Sequence, residues 1–476
     1  TLREAGLNPY LFEIANIREQ DSWVHQLNPE AATAKAKDLV RMSIARSRLL
    51  QPLHNTTYEV IQRALVVGGG LAGLTVALGL AEQGFFVVMV ERTAELGGNA
   101  QTLFYTEDGA QPAEYLKELI GKIESNPLIT VYKESLVESI TGSCGNFSTA
   151  LSVRGKVQNI SHGVVIVATG GEEYQPTEFL FGKHPKVLTQ KMFEKLLAKK
   201  PDEAKQFGQV VMIQCVGSRE PEHPYCSRIC CTAAMKNSLR LKTLNPDTRV
   251  SVLYRDIRTF GLKELSYTKA RKQGVRFFRF EIDQKPTVTS NGDALEILVF
   301  DQHLQIPVKL QADLLVLSAA IRPRPESKQL SEVARLPFEE DGFFMEAHIK
   351  LRPLDFATAG FFLCGLAHGP KFANEAIVQA HGAVSRACSI LSKKEMMAEA
   401  VITHVDPHLC RGCGECENTC LFKAIQVKEV DGKKQAVVSE ILCTGCGACN
   451  VACPTGASSL AHFQDDQVRA MTKSIG

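Results

Sequence analysis

Fifteen cysteines lie in 476 residues, and twelve of them fall in two tight groups. The first group is Cys215, Cys226, Cys230 and Cys231, spaced C-x10-C-x3-C-C. Four thiolates this close can hold one [4Fe–4S] cube. Zinc, a redox disulfide and buried free thiols would use the same residues, and no CxxC pair decides among them. The second group is a doubled run. Cys410-x2-Cys413-x2-Cys416-x3-Cys420 is followed by Cys443-x2-Cys446-x2-Cys449-x3-Cys453-Pro454. This is the spacing by which two cubes are bound in bacterial ferredoxins, the fourth cysteine of each run crossing to the other cube. It assigns Cys410, Cys413, Cys416 and Cys453 to one [4Fe–4S] cluster, and Cys443, Cys446, Cys449 and Cys420 to a second. Gly412, Gly414, Gly445 and Gly447 let the loops wrap the cubes and aim backbone N–H groups at sulfur. Leu421 stands where proline is usual after the fourth cysteine. The remaining Cys144, Cys364 and Cys388 are read as structural.

The first cysteine group needs a strand and a helix to carry it. An apolar run at 210–213 leads in, and a helical segment at 232–242 leads out. The cysteines therefore sit on a strand-to-helix crossover, where flavin enzymes of this layout carry glycines that cradle NAD(P). Only Gly217 of such a fingerprint survives in Cys215-Val216-Gly217-Ser218-Arg219, so NAD(P)H binding is not expected there.

A second crossover keeps its glycines. In residues 62–92 a strand meets Gly68-Gly69-Gly70-Leu71-Ala72-Gly73, a helix follows, and a second strand ends in Glu91-Arg92. Gly68, Gly70 and Gly73 form the GxGxxG dinucleotide fingerprint in full context. The helix N-terminus, with Leu71 and Ala72, offers free N–H groups to a pyrophosphate. Glu91 is placed to accept from ribose hydroxyls. Gly97-Gly98, the strand ending Ala168-Thr169-Gly170, and the later turn through Gly365, Ala367 and Lys371 resemble, in order, the motifs of the large two-dinucleotide-fold flavoproteins. That resemblance makes FAD the expected cofactor.

Composition narrows the rest. Charged residues nearly cancel, at net +2, so nothing draws the whole chain to nucleic acid or an anionic surface. No apolar run approaches the ~20 residues of a membrane span. No signal peptide is visible, and the short cysteine spacings favour a reducing compartment, so the cytoplasm is expected. The first residue is Thr rather than Met, which implies an incomplete or processed chain. A helix opening at Pro29-Glu30 carries Lys35, Lys37, Arg41, Arg46 and Arg48, read as a solvated basic face or a docking surface for an acidic partner. Trp23, just before it, is expected to anchor a core or an interface.

The predicted organisation is α/β. A helical N-terminal region (1–60) precedes a split FAD-binding Rossmann-like domain (61–206 and 323–398). A nucleotide-domain-like segment (207–322) is inserted, as in thioredoxin reductase-like proteins, and a ferredoxin-like 2[4Fe–4S] domain closes the chain (399–476).

One family resemblance covers essentially the whole length. Residues 9–20, Ser22-Trp23-Val24-His25, the FAD fingerprint, Cys215-Val216-Gly217-Ser218-Arg219 and Tyr225-Cys226-Ser227-Arg228-Ile229-Cys230-Cys231 resemble the A-type subunit of heterodisulfide reductases, which carries flavin and iron–sulfur clusters. The resemblance implies a [4Fe–4S] cluster at the crossover beside the flavin. It also implies a catalytic lysine near the flavin reactive nitrogen, which maps onto Lys236. The implied activity is flavin-based electron bifurcation between a low-potential ferredoxin route and a disulfide-type acceptor. The implied partners are B- and C-like subunits, a hydrogenase- or formate dehydrogenase-type input subunit, ferredoxin, and a second copy of the chain. Asp21 replaces a cysteine frequent in the family, which puts an N-terminal cluster in doubt. The same parts would serve a non-bifurcating relay of the quinone-interacting or benzoyl-CoA reductase type. An NAD(P)H-dependent flavin oxidoreductase would need the missing second fingerprint. A scaffold subunit with a structural flavin would not reduce it.

Overall fold

The computed structural model describes residues 2–475. The chain forms two compact units, residues 60–394 and residues 1–59 together with 395–476.

The larger unit is built on two parallel sheets. The first runs in the order Phe361–Leu363, Val164–Val167, Arg63–Val67, Phe86–Val90, Ile129–Tyr132. Helices cover parallel sheets, so the strands are apolar without alternation, and Leu65, Val66, Val165 and Ile166 are fully buried. The helix Leu71–Glu82 packs against Ala373–Leu391, where Gly79 leaves room for Val384. The second sheet runs Val187–Thr189, Leu314–Ala319, Gln209–Val216, Arg249–Tyr254, Arg276–Arg279, again all parallel. The crossover helix Cys230–Leu244 returns from its central strand. Each half also carries a three-stranded antiparallel layer, one centred on Asn146–Val153 and one on Ala294–Asp301. A two-stranded link, Gly171–Glu173 with Ile321–Pro323, joins the halves.

Val187–Thr189 enters the second sheet well before residue 207, where the sequence starts the insert. A three-residue strand shows no periodicity from which it could be read.

In the smaller unit Pro29–Ser47 forms the expected helix, opened by Asn28 accepting from the Ala31 N–H. It packs on Asp465–Lys473, and Thr57–Glu59 pairs antiparallel with Glu395–Met397. The N-terminal region and the cysteine-rich segment thus share one unit. Outside Pro29–Ser47 the N-terminal region is mostly turns and short helical pieces rather than continuous helix. Trp23 is not a core anchor. It is 53% exposed, with the Arg18 guanidinium over its ring.

Candidate functional site

The three fingerprint glycines are required for three different reasons. Gly68 has φ +115°, and a Cβ there would meet the Ala168 carbonyl oxygen at 2.3 Å. A Cβ on Gly73 would lie 1.9 Å from the Gly68 carbonyl oxygen, so this glycine permits close helix–strand packing. Gly70 is different. Its backbone is extended, at φ −78°, and a Cβ would meet nothing within 4 Å. Among the described residues no contact demands glycine at 70; the open space over a helix N-terminus does, if a pyrophosphate fills it.

That space belongs to a cleft of about 860 Å³. Gly68, Gly70, Leu71, Ala72, Glu91, Arg92, Gly98, Ala168, Thr169, Gly170, Gly365 and Lys371 line it together. Gly73, Gly97 and Ala367 stand behind this wall. Gly97, at φ +107°, donates its N–H to the Gly69 carbonyl, and Ala367 is buried beside Gly365. Glu91 Oε2 accepts from the Gly69 N–H at 2.7 Å, while Oε1 accepts from the N–H and hydroxyl of Thr93, each at 2.8 Å. A carboxylate offers about four acceptor sites, so Oε2 retains one for a ribose hydroxyl. The Thr169 hydroxyl is buried in the cleft wall with no partner among the described residues, as a group kept for a ligand would be. Lys371 is buried and donates to the carbonyls of Gly365 and Gly369, at 2.8 and 2.7 Å. Burial, then the neighbouring Arg228, pull its ammonium down to about 8. These features fit a dinucleotide.

Lys236 lies on the same wall, on the crossover helix. It is no surface lysine. It is 9% exposed, and its ammonium donates to Glu194 Oε2 at 2.7 Å and to the Tyr105 carbonyl at 2.8 Å. Burial lowers its pKa and Glu194 opposes the shift. Glu194 also accepts from the Phe104 N–H at 2.8 Å, and the Tyr105 hydroxyl donates to Asn237 at 2.7 Å. Sequence reasoning missed Glu194 and Tyr105. A glutamate in the amphipathic helix Gln190–Lys199 gives no signal that it points inward.

The structure places Cys215, Cys226 and Cys231 near enough to Cys230 to act on it, while among the described residues no three His, Cys, Asp or Glu side chains stand in metal-holding geometry. Cys215 is the last residue but one of the strand Gln209–Val216, at φ +63°, and Cys230 and Cys231 open the helix. The Cys230 thiol is pushed up by its hydrogen bond to Cys231, by burial, and by the charges of Cys231, Cys215 and Cys226, so the other three sulfurs all act on it. Cys231 is pulled down to about 7, first by the Cys230 thiol, against burial, and then by the Arg258 N–H and the Arg219 and Arg258 charges. The Arg228 N–H donates to Cys226 Sγ at 3.4 Å. Cys230 also lines the large cleft. Where the second sheet could have received a dinucleotide, the Tyr174 ring fills the space over Gly217, whose Cβ would meet it at 2.3 Å. The Arg322 guanidinium stacks on that ring at 3.9 Å.

In the smaller unit Cys410, Cys413, Cys416 and Cys453 line one cavity. Cys453, from the second run, has crossed to the first. Gly414 and Gly447 occupy matching left-handed caps of two short helices, Glu415–Thr419 and Ala448–Ala452. Gly412 and Gly445 pack against backbone, with Cβ positions 2.5 Å from the Lys434 carbonyl oxygen and 2.2 Å from that of Val401. Backbone N–H groups point at sulfur, Ala424 to Cys420 at 3.2 Å and Ala436 to Cys410 at 3.5 Å. Thiols facing a shared void with amides aimed at them suit an anionic cube.

Residues 62–202 match the pyridine nucleotide-disulphide oxidoreductase model, and residues 409–457 match the 4Fe-4S dicluster domain. The chain is 35% identical to the A-type subunit of the H2:CoB-CoM heterodisulfide,ferredoxin reductase of Methanothermobacter thermautotrophicus, over 90% of this chain and 79% of that protein. The chain belongs to the family of heterodisulfide reductase A-type subunits. A second member, an A-type iron-sulfur subunit of the CoB-CoM heterodisulfide reductase of Methanopyrus kandleri, is 32% identical over 100% of this chain and 86% of its own length. Among solved structures, the thioredoxin reductase of T. acidophilum covers 69% of this chain and 98% of its own, at 15% identity and TM-score 0.48. As a member of this family the chain is an oxidoreductase of the flavin and iron–sulfur type. FAD is its cofactor, and two [4Fe–4S] clusters belong to its C-terminal segment. Among the described residues no helix is long and apolar enough to cross a membrane.

Proposed function

We propose that this chain distributes electrons within a cytoplasmic heterodisulfide reductase-like complex, and that it is the site of flavin-based bifurcation. FAD, when bound, supplies a centre that exchanges electrons in pairs, and iron–sulfur cubes carry them singly. Cys215, Cys226, Cys230 and Cys231 hold a third [4Fe–4S] cluster. Cys410, Cys413, Cys416 and Cys453, and Cys420, Cys443, Cys446 and Cys449, hold the other two. Lys236 orients and charges the flavin edge, Glu91 binds ribose, and the backbone at 70–73 binds pyrophosphate. Partner subunits of the B and C types supply the disulfide acceptor. A hydrogenase- or formate dehydrogenase-type subunit supplies electrons, ferredoxin takes the low-potential branch, and the chain pairs with a second copy of itself.

One observation carries this reading. Cys230 is at once a member of the four-thiol group and part of the flavin cleft wall. A cube there lies within reach of the flavin, at a crossover whose dinucleotide space Tyr174 already fills. Electrons then enter and leave by way of clusters rather than NAD(P)H.

Iron and acid-labile sulfide per FAD test the parts list on anaerobically purified protein. About twelve irons falling to about eight in Cys230→Ser/Cys231→Ser supports three cubes. About eight in both leaves only the ferredoxin pair. Bifurcation is tested in the assembled complex, where ferredoxin reduction must depend on a heterodisulfide acceptor being present. Ferredoxin reduction without it identifies a plain relay, and rapid bleaching by NAD(P)H identifies a flavin reductase.

A further inference from the structure

The loop between Cys215 and the crossover helix turns through the left-handed region repeatedly, at Cys215 (φ +63°), Gly217 (+77°), Arg219 (+58°) and Arg228 (+57°). Non-glycine residues in that region need surrounding structure to hold them. Arg255 does so. It is 9% exposed, and its guanidinium donates to the Arg219 carbonyl at 2.6 Å and to the Ser218 carbonyl at 2.9 Å. Among the described residues it forms no ion pair, so its charge stays uncompensated against the thiol group. Arg219 points the same way, with Nη1 3.9 Å from Cys215 Sγ. Asp256 works against them. Its carboxylate lies 2.6 Å from Arg219 and 3.6 Å from Arg258, and its carbonyl accepts from the Cys231 thiol at 3.8 Å.

We infer that Arg255 and Arg219 are a cationic collar that raises the reduction potential of the crossover cluster, with Asp256 as its counterweight. The inference rests on the third-cluster reading above. The physical reason is the sign of the change. One electron added to a cube ligated by four thiolates adds one negative charge. A buried cation stabilises the reduced form more than the oxidised, and in a partly dry site that difference is large. The collar makes the cluster beside the flavin the more ready electron acceptor. Arg255 and Arg219 are positioning and tuning residues; neither is proposed to touch the flavin.

The test is an EPR-monitored redox titration of the full chain, with iron per FAD measured on the same samples. The crossover signal is the one lost in Cys230→Ser/Cys231→Ser. Arg255→Met is expected to shift its redox equilibrium at least tenfold toward the oxidised form, about 59 mV for one electron. Asp256→Asn is expected to shift it the other way. Arg255→Lys keeps the charge and is expected to recover part of the loss. A loop-supporting role alone would not give opposite signs for the two charge changes. If Arg255→Met fails to load the cluster, Arg219→Gln and the half-exposed Asp256→Asn decide the question. Unmoved potentials, or shifts of one sign in all variants with iron intact, overturn the collar. If Cys230→Ser/Cys231→Ser loses no iron, it is the cluster reading that has failed.

Discussion

Lys236 Nζ lies 2.7 Å from Glu194 Oε2, and both side chains are buried in the wall of the cleft of about 860 Å³. The lysine therefore reaches the cleft as half of an ion pair. Removing either partner leaves a buried charge unmatched, which costs about 3–5 kcal/mol. Lys236→Met is expected to lower the flavin potential, because a cation is lost and Glu194 is unmasked. Glu194→Gln is expected to raise it, and the double variant to lie between. Spectroelectrochemical titration at constant FAD and iron content reads the signs. A flavin potential that ignores both changes would remove Lys236 from the flavin's surroundings.

The glycine pair 70 and 73 separates ligand from fold. Gly70→Ala adds a Cβ to open space at an ordinary φ, so the chain should stay folded and lose FAD affinity at least tenfold. Gly73→Ala drives a Cβ into the Gly68 carbonyl and should destabilise the larger unit by about 1–3 kcal/mol or more. Flavin content and thermal unfolding, measured on both, distinguish the outcomes. Full FAD occupancy in Gly70→Ala would refute the pyrophosphate placement.

The crossing of Cys453 can be read by pairing variants. Cys453→Ser combined with Cys410→Ser should lose no more iron than either alone, about four atoms, because both serve one cube. Cys453→Ser combined with Cys443→Ser should lose about eight. The reverse pattern would mean that each run closes its own cube.

His162 supplies a pH dependence. It is fully buried, shares a 2.7 Å hydrogen bond with Thr149, and burial holds its pKa down at about 4. The unfolded chain binds a proton near pH 6.5 that the folded chain refuses until about 4. Stability must therefore fall as pH drops through that window and change little above it. Urea midpoints at about pH 4.5 and about pH 7 should differ more in wild type than in His162→Phe. Equal differences would show that other groups carry the acid response.

Chemistry that depends on short spacings is legible along the chain. The doubled cysteine run, the GxGxxG turn and the strand-to-helix crossover at Cys215 are local, because backbone geometry over a few residues dictates which types fit. Gly68, Gly73, Gly412 and Gly445 were legible for that reason, and each sits against backbone with no room for a Cβ. Tertiary structure alone decided what meets across distance. It set Glu194 against Lys236 and laid Tyr174 over Gly217. It also exposed Trp23, which apolar character alone assigned to a core or interface, and paired Thr57–Glu59 with Glu395–Met397. Burial and ion pairing depend on which faces pack, and residue type along one chain does not specify that.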